Sequence, residues 1–142
     1  MDLTAVIKPK NALGYLDVGG NQKSAYDYGS AFSRASQAVS PAGRTVFVSG
    51  TASIGADGKT TNVGNAEGQI ADTIGNVRAV LRQMKCDDAD VVHSLIYCKT
   101  AEIEKLFCEK FGDLPWPKIT MIADICRDEL LFEIEATAAP AE

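Results

Sequence analysis

The chain has 142 residues, of which 46% are hydrophobic, so it is long and apolar enough for one domain with a buried core. Its net charge is −5 and its lysines and arginines are scattered, which opposes nucleic-acid binding through a clustered basic surface. No stretch approaches the roughly 20 apolar residues of a membrane-spanning helix. The N-terminus also lacks the basic start and apolar core of a secretory signal.

The cysteines point to a cytoplasmic protein without a metal site. Cys86, Cys98, Cys108 and Cys126 have no CxxC spacing, and His93 is the single histidine of the chain. A structural zinc site needs a denser set of ligands. Four irregularly spaced cysteines without a signal sequence fit reduced thiols in the cytosol. We therefore expect no structural zinc site.

The first half of the chain predicts strands separated by turns. Residues 13–18 predict a strand that ends at a pair of glycines, and residues 24–30 predict a loop. Strands are expected over residues 32–39 and 45–54, the second of which is rich in β-branched residues. Its apolar run changes at Ser49, Gly50 and Thr51. Glycine inside a strand often marks a bulge or a place where a ligand approaches the backbone.

Two amphipathic helices are expected in the second half. Asn65 has the character of an N-cap, and an apolar stripe follows it at steps of four and three: Ile70, Ile74, Val77, Leu81 and Met84. Gly75, inside this helix, is interpreted as allowing close contact with the strands beneath. A strand over residues 91–98 precedes a second helix, which Thr100 is expected to cap.

The order of these elements, with two closing strands near residues 116–123 and 130–136, predicts an α+β fold. Two helices would cover one face of a single sheet. No further helix is available for the other face, so we expect contact with further copies of the chain to cover it. This predicts a homo-oligomer with sites between subunits.

The closing strands carry a cation and a carboxylate that suggest a catalytic pair. Alternation places Glu133 on one face of its strand and apolar residues on the other, while Lys118 and Thr120 share a face of the preceding strand. If the strands lie close together, Lys118 would hold an anion and Glu133 would move protons. The alternative is a surface salt bridge, which contributes less than about 1 kcal/mol.

With these elements assigned, the chain resembles the RidA/YjgF family over roughly residues 32–138. The resemblance rests on Phe47-Val48-Ser49-Gly50 followed by Ile54, on Gln69, Asn76 and Val77, on Asp90-Val91-Val92, on residues 107–111, and on Glu133-Ile134-Glu135-Ala136. Residues 26–35 and 49–54 are closer to the chorismatase-like branch. Chorismatases proper carry two such units, whereas this chain is long enough for one. We expect one domain over residues 1–142, with residues 1–30 as an N-terminal extension.

The resemblance implies a chorismate-mutase-like α+β fold, a homotrimer and three clefts between neighbouring subunits. RidA proteins hydrolyse reactive 2-imino acids to 2-keto acids and ammonia without a metal or cofactor. By the same resemblance, the glutamate that positions or activates water falls on Glu133, and the glycine that lines the cleft falls on Gly50. The arginine that clamps the substrate carboxylate falls on Lys118, which offers one point charge instead of a two-pronged grip.

Other positions depart from the family pattern in side-chain chemistry. The cleft tyrosine falls on Phe32, which has no hydroxyl, and the cysteine falls on Thr120. The family asparagine falls near Glu104. Arg34 is a candidate for the missing two-pronged clamp, and a surface strand residue is the alternative for it. Ser49 and Thr51 complete the expected substrate-binding set.

Three functions remain open from the sequence. The first is a hydrolase or deaminase for a small anionic imine or enol-ether metabolite, with Glu133 moving protons. The second is a protein that binds such a metabolite without chemistry, which the loss of the tyrosine hydroxyl and of the arginine favours. The third is a ribonuclease, which is the least favoured because the chain is acidic and has no basic aromatic strip.

Overall fold

A computed structural model describes residues 12–20 and 22–141, and it has the α+β architecture expected from the sequence. Six strands and two α-helices make up this part of the chain. They are β1 (Leu13–Leu16), β2 (Ala35–Ser40), β3 (Gly43–Ala52), α1 (Ala66–Gln83), β4 (Val91–Cys98), α2 (Ala101–Phe111), β5 (Lys118–Ile122) and β6 (Phe132–Ala138). The expected loop over residues 24–30 contains a short 3-10 helix, Ala25–Tyr28.

The strands form one sheet in the order β1-β2-β3-β6-β4-β5. All neighbouring pairs are antiparallel except β4 and β5, which run parallel. The two closing strands, β5 and β6, are therefore not neighbours, because β4 lies between them. Strand order depends on long-range pairing, which the pattern of either strand alone does not contain.

Helix α1 agrees with its sequence pattern in cap and buried face. The Asn65 side chain accepts a hydrogen bond from the backbone N–H of Gly68, and all five residues of the apolar stripe are buried. The interpretation of Gly75 is wrong, because this glycine lies on the exposed side of the helix. A Cβ added there would meet no atom within 4 Å.

The core lies between the helices and one face of the sheet. It joins the stripe of α1 to strand residues such as Val46, Ile96 and Ile134, and Phe107 of α2 packs against Phe132 with ring centroids 5.3 Å apart. Neither helix packs on the opposite face, where Ile119 is 57% exposed and Tyr15 68% exposed. We call this second face the open face of the sheet.

Two features are absent from the described residues. No helix in this part of the chain is long and apolar enough to cross a membrane. Within residues 12–20 and 22–141, no group of three or more His, Cys, Asp and Glu side chains is placed to hold a metal ion.

Candidate functional site

The glycine inside β3 lies in a break of the strand pairing, as its position in the sequence suggested. The pairing of β3 with β6 shifts between Val48 and Thr51, so Ser49 and Gly50 leave the regular ladder. The Thr51 hydroxyl donates to the Ser49 carbonyl at 2.8 Å, and the Ser49 hydroxyl donates to the Ser33 carbonyl at 2.7 Å. Such an irregularity leaves backbone groups free of sheet pairing and re-aims neighbouring side chains.

Glu133 on β6 places its carboxylate directly over this bulge. A Cβ added to Gly50 would lie 2.3 Å from Glu133 Oε1, which is closer than two such atoms can approach. The absence of a side chain at Gly50 thus provides the space for the carboxylate. Glu133 is half-buried, and desolvation, with a smaller contribution from the charge of Glu135, raises its pKa above the usual value.

A second carboxylate and a tyrosine stand beside Glu133 on the open face. Tyr97 of β4 is paired in register with Glu133, and its hydroxyl donates to Glu135 Oε2 at 3.2 Å. Burial and the neighbouring charge of Glu135 raise the pKa of the Tyr97 hydroxyl. The sequence reasoning missed Tyr97, because its position across from Glu133 depends on the register between β4 and β6.

Arg34 is neither a substrate clamp nor a surface strand residue. It is 2% exposed, and its guanidinium donates twice to the Lys23 carbonyl and once to the Tyr28 hydroxyl. The guanidinium carbon also lies 5.1 Å from the centroid of the Phe32 ring. Arg34 therefore connects residues 23–28 to the start of β2 through hydrogen bonds, and its guanidinium packs against the Phe32 ring.

Thr51 also differs from its expected role. Its side chain is 1% exposed, because Thr51 is paired with Ile134, whose side chain lies in the core. With its hydroxyl donating to the Ser49 carbonyl, Thr51 holds the bulge in shape and does not face a ligand. The expected role of Ser49 and Gly50 in lining a site stays a prediction.

Lys118 and Thr120 lie on the other face of the sheet from Glu133. Lys118 is paired with Ser94 of β4, which is in turn paired with Ala136 of β6. Ser94 and Ala136 are both buried on the helix side of the sheet, so Lys118 projects from that side as well. Lys118 Nζ donates to the Leu114 carbonyl at 2.7 Å, and Thr120 Oγ1 donates to Glu104 Oε1 at 2.5 Å. The expectation that Lys118 and Glu133 face one site within a chain is therefore wrong.

The candidate residues form two separate groups within the chain. The bulge group consists of Ser49, Gly50 and Glu133, and the edge group consists of Lys118, Thr120 and Glu104 on and next to β5. Among the described strands, β5 has a sheet partner on one side only. Each group has part of the chemistry of a cation-carboxylate site, and a common site requires the edge group of one copy to meet the bulge group of another.

Two cavities of the described residues lie away from both groups. One, of about 550 Å³, lies on the outer side of α1 and is lined by residues such as Asp72, Asn76 and Arg82. The other, of about 330 Å³, lies between the two helices near Phe111 and Leu114. Glu133 is half-buried in the isolated chain and lines neither of these two cavities.

The sheet of six strands with two helices on one face places the chain in the fold class of the YjgF and Rid proteins. Several solved structures of these proteins are similar to it. A YjgF-family protein from Neisseria meningitidis superposes with a TM-score of 0.68 at 20% identity, covering 92% of this chain and 96% of that one. A Rid-family protein from Yersinia pestis gives a TM-score of 0.67 at 21% identity, covering 91% and 100%.

A YjgF-family member from Mycobacterium tuberculosis is similar at a TM-score of 0.64 and 22% identity, covering 90% of this chain and 99% of that one. The sequence model described as Endoribonuclease L-PSP matches residues 29–140. The chain therefore belongs to the Endoribonuclease L-PSP family, which is the YjgF/Rid family. A search of curated proteins finds no significant match.

Proposed function

We propose that the chain is a hydrolase for a small carboxylate-bearing imine or enol ether, working in clefts between the subunits of a homotrimer. The observation that carries the proposal is Glu133, a half-buried carboxylate with a raised pKa that lies against the backbone of Gly50. A carboxyl group with a pKa nearer neutrality exchanges protons more effectively at working pH. The four free thiols fit a cytoplasmic site of action.

The cleft would join the edge group of one subunit to the bulge group of the next. Lys118 would bind the substrate carboxylate as a point charge, and Gly50, having no side chain, would leave the Glu133 carboxylate in position beside the reacting carbon. Ile119, which is exposed on the open face, supports an assembly because apolar surface of this kind favours burial between copies. The substrate would be a small anion, with no nucleic acid, membrane, metal or cofactor required.

For an imine, the proposed chemistry is proton transfer combined with addition of water. The Glu133 carboxyl protonates the imine nitrogen, and water adds to the carbon as the resulting carboxylate takes up one proton from that water. The carbinolamine then receives a proton on nitrogen and loses one from its hydroxyl, which breaks the C–N bond. One imine and one water give one keto acid and one ammonia, and Glu133 returns to its starting state.

The first test replaces the carboxyl without changing its shape. Glu133→Gln is expected to lower ammonia release from 2-iminopropanoate by about 100-fold or more, because general acid–base groups contribute at least this much. Chorismate serves as the enol-ether probe, and release of pyruvate is measured instead of ammonia, because hydrolysis of its enol ether forms pyruvate and no ammonia. Glu109→Gln, at an exposed position of α2, is the matched control and should keep wild-type turnover. Full activity of Glu133→Gln with an intact oligomer would refute the catalytic role.

The second candidate is a protein that binds the metabolite without converting it. Phe32 and Lys118 favour it, since this chain lacks a hydroxyl and a two-pronged cation at these positions. Calorimetry with 2-keto acids, run beside the turnover assay, separates the two functions: binding without conversion supports the binder. A ribonuclease is disfavoured by the acidic charge of the chain.

A further inference from the structure

Beside Glu133, the open face carries a second pair of interacting groups that the proposed reaction does not use. Glu133 and Glu135 are two residues apart on β6 and so project from the same face. The carboxylate of Glu133 lies over Gly50 on the β3 side, whereas that of Glu135 accepts a hydrogen bond from Tyr97 on the β4 side. The two carboxylates diverge, and each has a different environment.

We propose that Tyr97 and Glu135 are positioning residues that keep the negative charge of this carboxylate pair on Glu135 and the proton on Glu133. Two nearby carboxylates resist carrying charge together, so the group with the better hydrogen-bond donor becomes the ionised one. Tyr97 supplies that donor to Glu135, and no hydrogen-bond donor in the described residues reaches the Glu133 carboxylate. In this arrangement, Glu133 is the member of the pair better placed to donate a proton. The catalytic use of this arrangement rests on the proposed function. The distribution of charge and proton between the two carboxylates does not.

The other groups around Glu133 are consistent with this division of charge. On the β3 side, Ser49, Gly50 and Thr51 carry no charge. On the β4 side, Lys99 follows Tyr97, but its Nζ donates to the Asp128 carbonyl at 2.9 Å and lies 3.7 Å from Asp124. His93 is paired with Thr137, two further positions along β6 from Glu135. The groups nearest to Glu133 in the chain are thus Tyr97 and Glu135.

Burial and the charge of Glu135 both raise the pKa of Glu133, so removing that charge should lower the pKa of Glu133. Glu135→Gln is expected to lower the pKa of Glu133 toward its ordinary value. Tyr97→Phe removes the donor that favours ionised Glu135, so the proton shifts toward Glu135 and the pKa of Glu133 falls as well. Glu135→Asp keeps the charge and should leave the pKa of Glu133 nearer to wild type than Glu135→Gln does.

The experiment is a carbon-detected NMR titration of the Glu133 side-chain carboxyl in the full chain. Tyr15→Phe is the matched control, because Tyr15 is an exposed tyrosine on edge strand β1. Lower Glu133 pKa values in Glu135→Gln and Tyr97→Phe, with no change in Tyr15→Phe, support the proposal. An unchanged Glu133 titration in Tyr97→Phe overturns it, and so does an equal effect of Glu135→Gln and Glu135→Asp.

This titration distinguishes failure of the inference from failure of the proposed function. The NMR readout needs no substrate, so it reports on the carboxylate pair even in a protein that only binds a metabolite. If Glu133→Gln retains full turnover, the hydrolase fails while the pair can still behave as described. If the titrations are unchanged but Glu133→Gln is inactive, the hydrolase stands and the roles of Tyr97 and Glu135 are refuted.

Discussion

At the scale of single residues, Gly50 and Glu133 show why a small residue inside a strand has a functional consequence. Glycine weakens a strand because it adds backbone freedom to the unfolded chain and packs no side chain. Gly50 does not have a positive φ angle, so its backbone conformation alone does not require glycine. The requirement arises from the Glu133 carboxylate, which occupies the volume that a Cβ would take.

Gly50→Ala should therefore separate activity from stability. Alanine can adopt the backbone conformation, and the group that it displaces is the end of a flexible side chain, so the free energy of unfolding should change by less than about 1 kcal/mol. Turnover should fall by about 100-fold, as expected when a proton-transfer group is displaced. Urea denaturation and ammonia release measure the two quantities.

Gly75→Ala is the matched control for this change, because Gly75 is exposed in α1 and an added Cβ meets no atom. It should leave turnover unaltered and stabilise the helix by roughly 0.5–1 kcal/mol. Wild-type turnover in Gly50→Ala would mean that the position of the Glu133 carboxylate is unimportant for catalysis.

Residue chemistry alone did not predict the place of Arg34. A charged residue near the start of a strand is usually exposed, and both interpretations of Arg34 assumed exposure. Its burial depends on the Lys23 carbonyl, the Tyr28 hydroxyl and the Phe32 ring, which are brought together only when residues 23–32 fold back. The spacing of residues in the sequence does not predict these three contacts of Arg34.

At the scale of elements, α1 was predictable because its determinants are local. The cap at Asn65 lies three residues from its partner Gly68, and the stripe from Ile70 to Met84 follows the helical period. The end of α1 is held differently. Arg44, at the start of β3, donates from its guanidinium to the carbonyls of Met84 at 2.7 Å and Lys85 at 3.2 Å.

Arg44→Met should consequently destabilise the protein. The last carbonyls of a helix lack partners within the helix, and a cation near that end also interacts favourably with the helix dipole. Losing hydrogen bonds from a charged donor should lower the free energy of unfolding by about 1.5–3 kcal/mol. Urea denaturation of the purified variant measures the change.

Arg82→Met tests whether charge alone is responsible, because Arg82 is an exposed cation in the last turn of α1. Loss of Arg82 should cost less than about 1 kcal/mol, since this exposed cation makes only screened charge interactions with the helix dipole and with Asp88. Equal destabilisation by the two variants would contradict the proposed role of Arg44 as a C-terminal cap.

At the scale of the whole molecule, the fold class followed from the order of elements, but the site did not. Lys118 and Thr120 share a face of β5, as alternation predicted, and the sequence could not say which face of the sheet this is. That depends on the position of β4 between β5 and β6, and the pairing of strands distant in the sequence determines it. A structure of one chain therefore separates residues that the sequence suggested were partners.

If the chain forms a homotrimer whose neighbouring subunits complete the site, two inactive variants should restore activity when mixed. Glu133→Gln and Lys118→Met each disable every cleft of their own homotrimer. In a mixed trimer with cyclic symmetry, one cleft combines an intact Glu133 from one subunit with an intact Lys118 from its neighbour. Random reassembly of equal amounts from denaturant should give about a quarter of wild-type turnover per site, because about three-quarters of the trimers are mixed and one cleft in three is intact.

One further mixture and the unmixed variants serve as controls for this experiment. Glu133→Gln mixed with Gly50→Ala should remain inactive, because both substitutions disable the bulge group and no cleft regains it. The unmixed variants, taken through the same denaturation and refolding, should also remain inactive. Absence of recovery in the mixture of Glu133→Gln and Lys118→Met, with mixed trimers confirmed by mass spectrometry, would exclude a shared site. Because Lys118 and Glu133 lie on opposite faces of one sheet, recovery would in turn require that the two groups meet between chains.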